Sequence, residues 1–380
     1  MPTDIKSLTR EEIEAQFKLW QEPPYRVAQL LNWLYARRAK SWDAMVNLPK
    51  GLREKLRKSY SLQILELARK QGSRDTTQKF LWKLADGAFI ESVLIPANPA
   101  LYSEASDRHT LCISTQVGCA YGCKFCASGL EGWKRNLGPH EIVEQILAVE
   151  RLSEDHHSIK EDINPETESK PPTPIARIKT RQVDNIVVMG MGEPLANYDF
   201  LLKALKILNA PYGGGIGARK ITISTSGLAP QIRRLAQEPM QFRLAISLHG
   251  ATDEVRNRIM PVNRKYPLQE LINACEDYQH ENGRMITLEY ILIAGVNDSL
   301  DQIRPLASLA RRLHAKVNLI PYNKIEDLPW ERPSEEVCER FLGALEDQKV
   351  TATLRREKGH DIDAACGQLR LKTEREQATT

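Results

Sequence analysis

With 380 residues, 42% of them hydrophobic and 27% charged, the chain has the composition of a soluble globular protein, long enough for one large domain with one or two small ones beside it. No apolar run approaches the roughly 18 residues that span a bilayer, and the polar start Met1-Pro2-Thr3-Asp4-Ile5-Lys6 is no signal-peptide core; no membrane partner is expected, and the cytoplasm is the expected location. The formal charge of +4 is uneven, because residues 1–75 hold fifteen Lys and Arg against nine Asp and Glu and so carry +6. The clusters Arg37, Arg38, Lys40 and Lys50, Arg53, Lys55, Arg57, Lys58 suit an attached nucleic-acid grip and equally a solvated helix face.

From about Arg10 to Tyr60 the pattern is helical, with Leu30, Leu31, Trp33, Leu34 and Tyr35 on one apolar face and Leu52 and Leu56 on another. Strand signals follow at Phe80–Leu84 and Phe89–Ile95, and Asp86-Gly87 between them predicts a hairpin. Residues 1–75 thus read as a basic helical RNA-binding lobe, and 76–105 as a β-hairpin extension and linker. Beyond these, short strands are expected at Leu111–Thr115, Asn185–Met189, Lys220–Thr225, Leu244–Leu248, Thr287–Ile293 and Lys316–Ile320, with helices at His140–Leu152, Leu268–His280 and Gln302–Leu313. Strands alternating with helices imply an α/β fold with a parallel sheet, and six such units predict a partial, open β/α barrel over 106–370. Ligands in such sheets sit at the carboxyl ends of the strands. Asp155–Lys179 is polar and carries Pro165, Pro171, Pro172 and Pro174; a mobile surface insertion without a core role is expected there, and a tail over 371–380.

The seven cysteines, Cys112, Cys119, Cys123, Cys126, Cys275, Cys338 and Cys366, are an odd number, which argues against a disulfide framework and for ligands, reactive thiols or small core residues. The run Gly118-Cys119-Ala120-Tyr121-Gly122-Cys123-Lys124-Phe125-Cys126 follows the first expected barrel strand. Three thiolates in one loop can hold three irons of a 4Fe–4S cube and leave the fourth open to substrate. Cys123 and Cys126 alone also suit zinc, but structural zinc takes four ligands and no second pair is present.

At this loop the sequence resembles the radical S-adenosylmethionine (SAM) superfamily, whose hallmark is CxxxCxφC with an aromatic at φ, here Phe125. The resemblance implies that SAM is chelated by the open iron and cleaved by a cluster electron to a 5′-deoxyadenosyl radical. It extends over about Arg10 to Leu369, the stretch 155–179 excepted, and narrows to the dual-specificity 23S rRNA/tRNA adenine-C2 methyltransferases of the RlmN type. The segments that carry it are 111–119, 133–137, Met189-Gly190-Met191-Gly192-Glu193-Pro194-Leu195, Ser224-Thr225-Ser226-Gly227, Ile246-Ser247-Leu248-His249, 319–323 and Asp361-Ile362-Asp363-Ala364-Ala365-Cys366-Gly367-Gln368-Leu369. By the same resemblance Gly192, Glu193, Ser224, Ser247, Leu248, His249 and Asn323 bind SAM. Without it, Gly-Glu-Pro reads as a turn and Ser224 as a strand-end cap.

The resemblance also assigns chemistry to two further thiols. One SAM methylates Cys366; the radical from a second SAM removes hydrogen from that S-methyl group, and the resulting carbon radical adds to adenine C2. Cys112 then attacks the sulfur of Cys366, forming a transient disulfide and releasing the methylated base. Glu91, in Ile90-Glu91-Ser92-Val93, matches the family's proton acceptor, although a solvent-facing strand glutamate is the ordinary reading of that position. Cys275 and Cys338 are expected in the core. The implied partners are 23S rRNA, tRNA and a low-potential electron donor such as flavodoxin or ferredoxin, acting on a monomer. Three rivals remain: a resistance-type C8-adenine methyltransferase with the same cysteines, a different radical SAM chemistry, and a non-enzymatic RNA-binding protein with a metal-stabilised loop.

Overall fold

A computed structural model describes residues 2–73, 76–96, 109–161, 182–325, 328–355 and 367–379. The helical start is as expected: Arg10–Leu19 (α1), Tyr25–Leu31 (α2) and Lys50–Ser59 (α3) bury Ile13, Phe17, Leu30, Leu31, Leu52 and Leu56 together. A capping box opens α1, where the Thr9 hydroxyl accepts from the Glu12 amide and the Glu12 carboxylate accepts from the Thr9 amide. Glu66–Gly72 (β1) lies within the stretch read as helical lobe but is a strand; its exposed, charged sequence hides the alternation that marks a half-buried strand. It pairs antiparallel with Gln78–Lys83 (β2), which turns at Asp86-Gly87 into Phe89–Pro96 (β3). The expected hairpin is present, with Gly87 at φ +83° in its turn.

The hairpin is no separate appendage. β3 pairs antiparallel with His109–Cys112 (β4), setting Val93 opposite Cys112, and the whole forms one ten-stranded sheet ordered β1-β2-β3-β4-β7-β8-β9-β10-β11-β12. Seven of these strands run parallel: β4, Asn185–Val188 (β7), Ile221–Thr225 (β8), Arg243–Ser247 (β9), Thr287–Leu292 (β10), Lys316–Pro321 (β11) and Ala352–Leu354 (β12). The sheet has two ends, so the barrel is open, as the pattern of strands predicts. β12 escapes the sequence pattern because it is three residues long.

The first parallel strand stops earlier than Leu111–Thr115 implies. After Ile113, whose amide still donates to Val187, the chain leaves the sheet: the Ser114 amide donates to the Gln145 side chain and the Thr115 amide to the Met191 carbonyl. Gln116–Gly118 (β5) then pairs with Trp133–Asn136 (β6), framing the cysteine loop between them. Pro139–Glu161 (α4) runs past Leu152 into the stretch read as an insertion, whose residues 162–179 lie outside the described residues. The outer layer continues with Tyr198–Asn209 (α5), Ala229–Ala236 (α6), Asp253–Ile259 (α7), Leu268–Asn282 (α8), Ile303–Arg312 (α9) and Glu335–Asp347 (α10). Gln368–Thr379 (α11) occupies most of the expected tail and buries Leu369 and Leu371.

The N-terminal lobe docks on α4. Lys6 is buried and pairs with Glu144 at 3.1 Å, the Ser7 hydroxyl bonds His140 Nδ1 at 3.0 Å, and Arg38 reaches Glu150 at 3.3 Å. Among the described residues no helix is long and apolar enough to cross a membrane.

Candidate active site

A cavity of about 350 Å³ lies against the carboxyl ends of the parallel strands, where the fold places ligands. Cys119, Cys123 and Cys126 all line it. Their loop is pinned at its base, where the Cys119 amide donates to the Gly132 carbonyl, and at its middle, where Lys124 donates to Ile259 on α7. Burial pushes the Cys119 thiol up to about 12, with Cys126 adding to the effect, and pushes Cys123 well up too, helped by both neighbouring thiols. Such thiols ionise when a metal cation takes them as ligands. Among the described residues no three His, Cys, Asp or Glu side chains are gathered as ligands of a single ion, so the fit to an iron–sulfur cube rests on the donor set: three soft sulfurs in one loop, facing one cavity.

The expected SAM-binding residues Gly192, Glu193, Ser224, Ser247, His249 and Asn323 line the same cavity. Leu248 is placed differently: it is fully buried, and its carbonyl accepts from Arg256 instead of facing the cavity. Gly192 has φ +99°, and a Cβ there meets Gln116 Cβ at 2.5 Å, so only glycine fits. The Glu193 carboxylate accepts from the Leu195 amide, the Thr225 hydroxyl and the Ser226 amide at 3.0, 2.8 and 2.7 Å. Three donors leave room for about one more at a carboxylate, and burial raises its pKa. His249 adopts φ +56° and sits edge-on to Phe125, the aromatic of the cysteine motif, with ring centroids 4.9 Å apart. Its Nδ1 accepts from the Ile291 amide, which puts the proton on Nε2. Burial, then the Arg256 guanidinium, lowers its pKa to about 3, so the ring is neutral at physiological pH. The Asn323 Oδ1 is buried and has no hydrogen-bond partner among the described residues, as a ligand-binding acceptor requires.

Cys112 ends β4 at the cavity wall. Cys366 lies outside the described residues, but its chain neighbour Gly367 packs on Ser128 of the cysteine loop: at φ +88°, a Cβ on Gly367 is 2.8 Å from the Ser128 nitrogen. Glu91 is buried, not solvent-facing. Its carboxylate accepts from the Gly367 and Arg370 amides, each at 2.7 Å, and pairs with Lys79 at 3.0 Å. Lys79 lines the cavity; Glu91 is not among the lining residues. Cys275 and Cys338 are buried in the core, as expected.

Two family models match the chain: "Ribosomal RNA large subunit methyltransferase N-terminal domain" over residues 3–62 and "Radical SAM superfamily" over 165–306. The "Probable dual-specificity RNA methyltransferase RlmN 3" of Opitutus terrae is 54% identical over 368 residues, which are 97% of this chain and 94% of that protein. The "Probable dual-specificity RNA methyltransferase RlmN" of Akkermansia muciniphila is 48% identical over 98% of this chain and 97% of its own. This chain belongs to the RlmN family of dual-specificity RNA methyltransferases. Among solved structures, the crystal structure of a radical SAM methyltransferase from Sphaerobacter thermophilus matches with a TM-score of 0.84 at 42% identity, over 97% of this chain and 99% of that one. The two chains therefore share one fold over nearly their whole length.

Several supports of this RlmN-family site carry no sequence signal. Arg256 is fully buried at the hub of the loops that follow β8 and β9: Nε donates to the Asn263 side chain, Nη1 to the Ser247 and Leu248 carbonyls, and Nη2 to the Ser226 carbonyl. Gln116 accepts from the Glu193 amide, bracing the Gly-Glu-Pro turn against β5. Lys79 is fully buried. Lys79 and Arg256 lie outside any motif and are ordinary surface residues by composition, and Gln116 has no role of its own assigned within the segment 111–119, so only three-dimensional neighbours reveal what the three do. The basic cluster of the lobe is divided: the exposed Arg37 stacks over the ring of the buried Trp33, whereas Arg38 is committed to Glu150.

Proposed function

We propose that this chain methylates carbon 2 of an adenine in 23S rRNA, and of an adenine in tRNA, consuming two SAM molecules for each methyl group installed. The observation that carries this reading is the convergence of Cys112, the three cluster cysteines and the SAM-side residues on one cavity, with Gly367, next in the chain to Cys366, packed on the cysteine loop. Adenine C2 lies between two ring nitrogens and is electron-poor, so it does not attack a sulfonium methyl; a carbon radical adds there instead. When bound, a 4Fe–4S cluster with SAM on its open iron supplies the radical chemistry that starts this addition.

The chain's own residues then divide the work. Cys119, Cys123 and Cys126 hold the cluster. Glu193, Ser224, Ser247, His249 and Asn323 orient SAM, with the backbone at Gly192 letting it approach closely and Leu248 fixing the turn behind. Cys366 carries the methyl carbon to the base, Glu91 accepts the C2 proton, and Cys112 attacks the Cys366 sulfur, so that an S–S bond forms as the S–C bond to the product breaks. A low-potential donor of the flavodoxin or ferredoxin type supplies electrons to the monomer in the cytoplasm. RNA is gripped by the basic lobe through its phosphates, and the target base leaves its stack to reach the cavity.

Nucleoside mass spectrometry after anaerobic reaction with rRNA and methyl-labelled SAM tests the reading. Labelled 2-methyladenosine is expected. Labelled 8-methyladenosine establishes the C8 reaction instead, and failure to cleave SAM points to a binding protein.

A further inference from the structure

The assigned roles leave Lys79 unused. It is fully buried, lines the cavity, and has its ammonium 3.0 Å from Glu91 Oε2. The strand register explains the placement: Lys79 is opposite Val93 and Val93 opposite Cys112, while Glu91 is opposite Leu81. Lys79, Glu91, Val93 and Cys112 therefore share one face of the sheet, and Lys79 and Glu91 form a diagonal pair within reach of long side chains.

Glu91 in turn holds the beginning of α11. Its Oε2 accepts from the Gly367 amide and its Oε1 from the Arg370 amide, two donors that the first turn of a helix leaves unsatisfied. The same turn is tied to the cysteine loop, because Gly367 packs on Ser128 and the fully buried Arg370 guanidinium pairs with Glu131 at 2.8 Å. A buried carboxylate without a cation is costly, and Lys79 supplies the cation.

We propose that Lys79 is a positioning residue for methyl transfer: through the Glu91 carboxylate it fixes the first turn of α11, and so fixes the point from which Cys366 is presented to the cavity. Glu91 then has two duties, helix anchor and proton acceptor. The inference rests on the assignment of Cys366 as methyl carrier, and its test separates the two.

The experiment uses full-length, cluster-loaded enzyme under anaerobic conditions, with Lys79→Met, Lys79→Arg, Glu91→Ala and the charge-free pair Lys79→Met with Glu91→Gln. Two quantities are read without RNA: the rate at which label from methyl-labelled SAM appears on the Cys366 peptide, and hydrogen-exchange protection of the Arg370 and Leu371 amides. Misplacing a reacting group by about 1 Å costs on the order of a hundredfold in rate. Lys79→Met and Glu91→Ala are therefore each expected to slow loading by at least about tenfold and to expose those amides, with the iron content unchanged. Lys79→Arg restores most of the loading, and the charge-free pair, which leaves no lone buried charge, shows the same loss as Lys79→Met. Loading at the wild-type rate in Lys79→Met or in the charge-free pair overturns the proposal. Normal loading in Glu91→Ala, with RNA trapped on the enzyme, also overturns it and leaves Glu91 as proton acceptor only. Absence of label on wild-type Cys366 removes the methyl-carrier assignment itself and the proposal with it.

Discussion

Replacing Arg256 by methionine removes the hub of the loops that follow β8 and β9 while nearly preserving side-chain bulk. Four acceptors lose their donor: the Ser226, Ser247 and Leu248 carbonyls and the Asn263 side chain. At about 1 kcal/mol net for each hydrogen bond, the loss is about 4 kcal/mol, and burying an uncharged side chain recovers part of the desolvation that lowers the Arg256 pKa to about 10. With an unfolding entropy of about 2.1 cal/mol/K per residue, a chain of this length has about 0.8 kcal/mol/K in total, so the melting temperature falls by about 5 °C. Because the Ser226, Ser247 and Leu248 carbonyls all lose their common brace, SAM affinity falls on the order of tenfold, as for other residues that orient ligand-binding groups. Differential scanning calorimetry and SAM titration measure the two effects. Arg256→Lys separates charge from geometry: it keeps the cation, but three donors on a flexible stem cannot span the same acceptors, so most of the loss persists. A methionine variant that melts within a degree of wild type and binds SAM equally well refutes the hub assignment, and full rescue by lysine refutes the geometric part.

Cys112→Ala is expected to leave RNA covalently attached through Cys366, seen as a protein–RNA band that survives denaturation; recovery of free, unmodified RNA alone contradicts the release step. Of the lobe's charges, Arg37→Gln and Lys40→Gln weaken RNA binding and reduce the slope of log affinity against log salt by about 0.7 to 0.9 per lost phosphate contact. Arg38→Gln, by contrast, breaks the partly buried pair with Glu150 and lowers the stability of the lobe's docking. A salt slope that changes for none of the three removes the lobe as the phosphate grip. His249 gives a pH signature: its folded pKa of about 3 lies below the unfolded 6.5, so between those values the unfolded chain binds more protons. Its contribution is fully present above pH 6.5 and is lost as pH falls toward 3, at up to about 1.4 kcal/mol per unit. His249→Gln flattens that part of the stability profile; an unaltered acid limb shows that the ring is not buried neutral.

The sequence carries the strands and motifs that obey short-range rules. Asp86-Gly87 marks its turn because glycine accepts φ +83°, and the cysteine loop is recognisable because its ligands are close in the chain. The expected strand Leu111–Thr115 overlaps β4 but runs too far, because the chain's exit at Ser114 depends on Gln145, 31 residues away. β1 falls inside the expected helical lobe without a strand signal because its exposed, charged residues show no apolar alternation, and its strand state comes from pairing with β2. The same limit hid Lys79 and Arg256, whose meaning lies entirely in partners from distant segments. Glu91 was identified by motif, yet its burial and its grip on α11 depend on residues 276 and 279 positions downstream.

That grip explains why a hairpin of the N-terminal third is fused to the barrel. Joining β3 to β4 antiparallel brings Glu91 beside the segment that follows Cys112, where the Ser114 hydroxyl donates to the Glu91 carbonyl at 2.6 Å. The Ser114 oxygen also accepts from the Met191 amide of the Gly-rich SAM-side turn. One hydroxyl thus links the strand bearing Glu91 to the turn bearing Gly192 and Glu193, and Gln145 on α4 bonds both Ser92 and Ser114 behind it. A parallel barrel alone offers its β4 edge to solvent, with unpaired backbone groups at the rim of the cavity. The hairpin covers that edge and in the same step adds Lys79 and Val93 to the cavity wall beside Cys112, with Glu91 buried and paired to Lys79, so the added strands complete the cavity wall as well as the sheet.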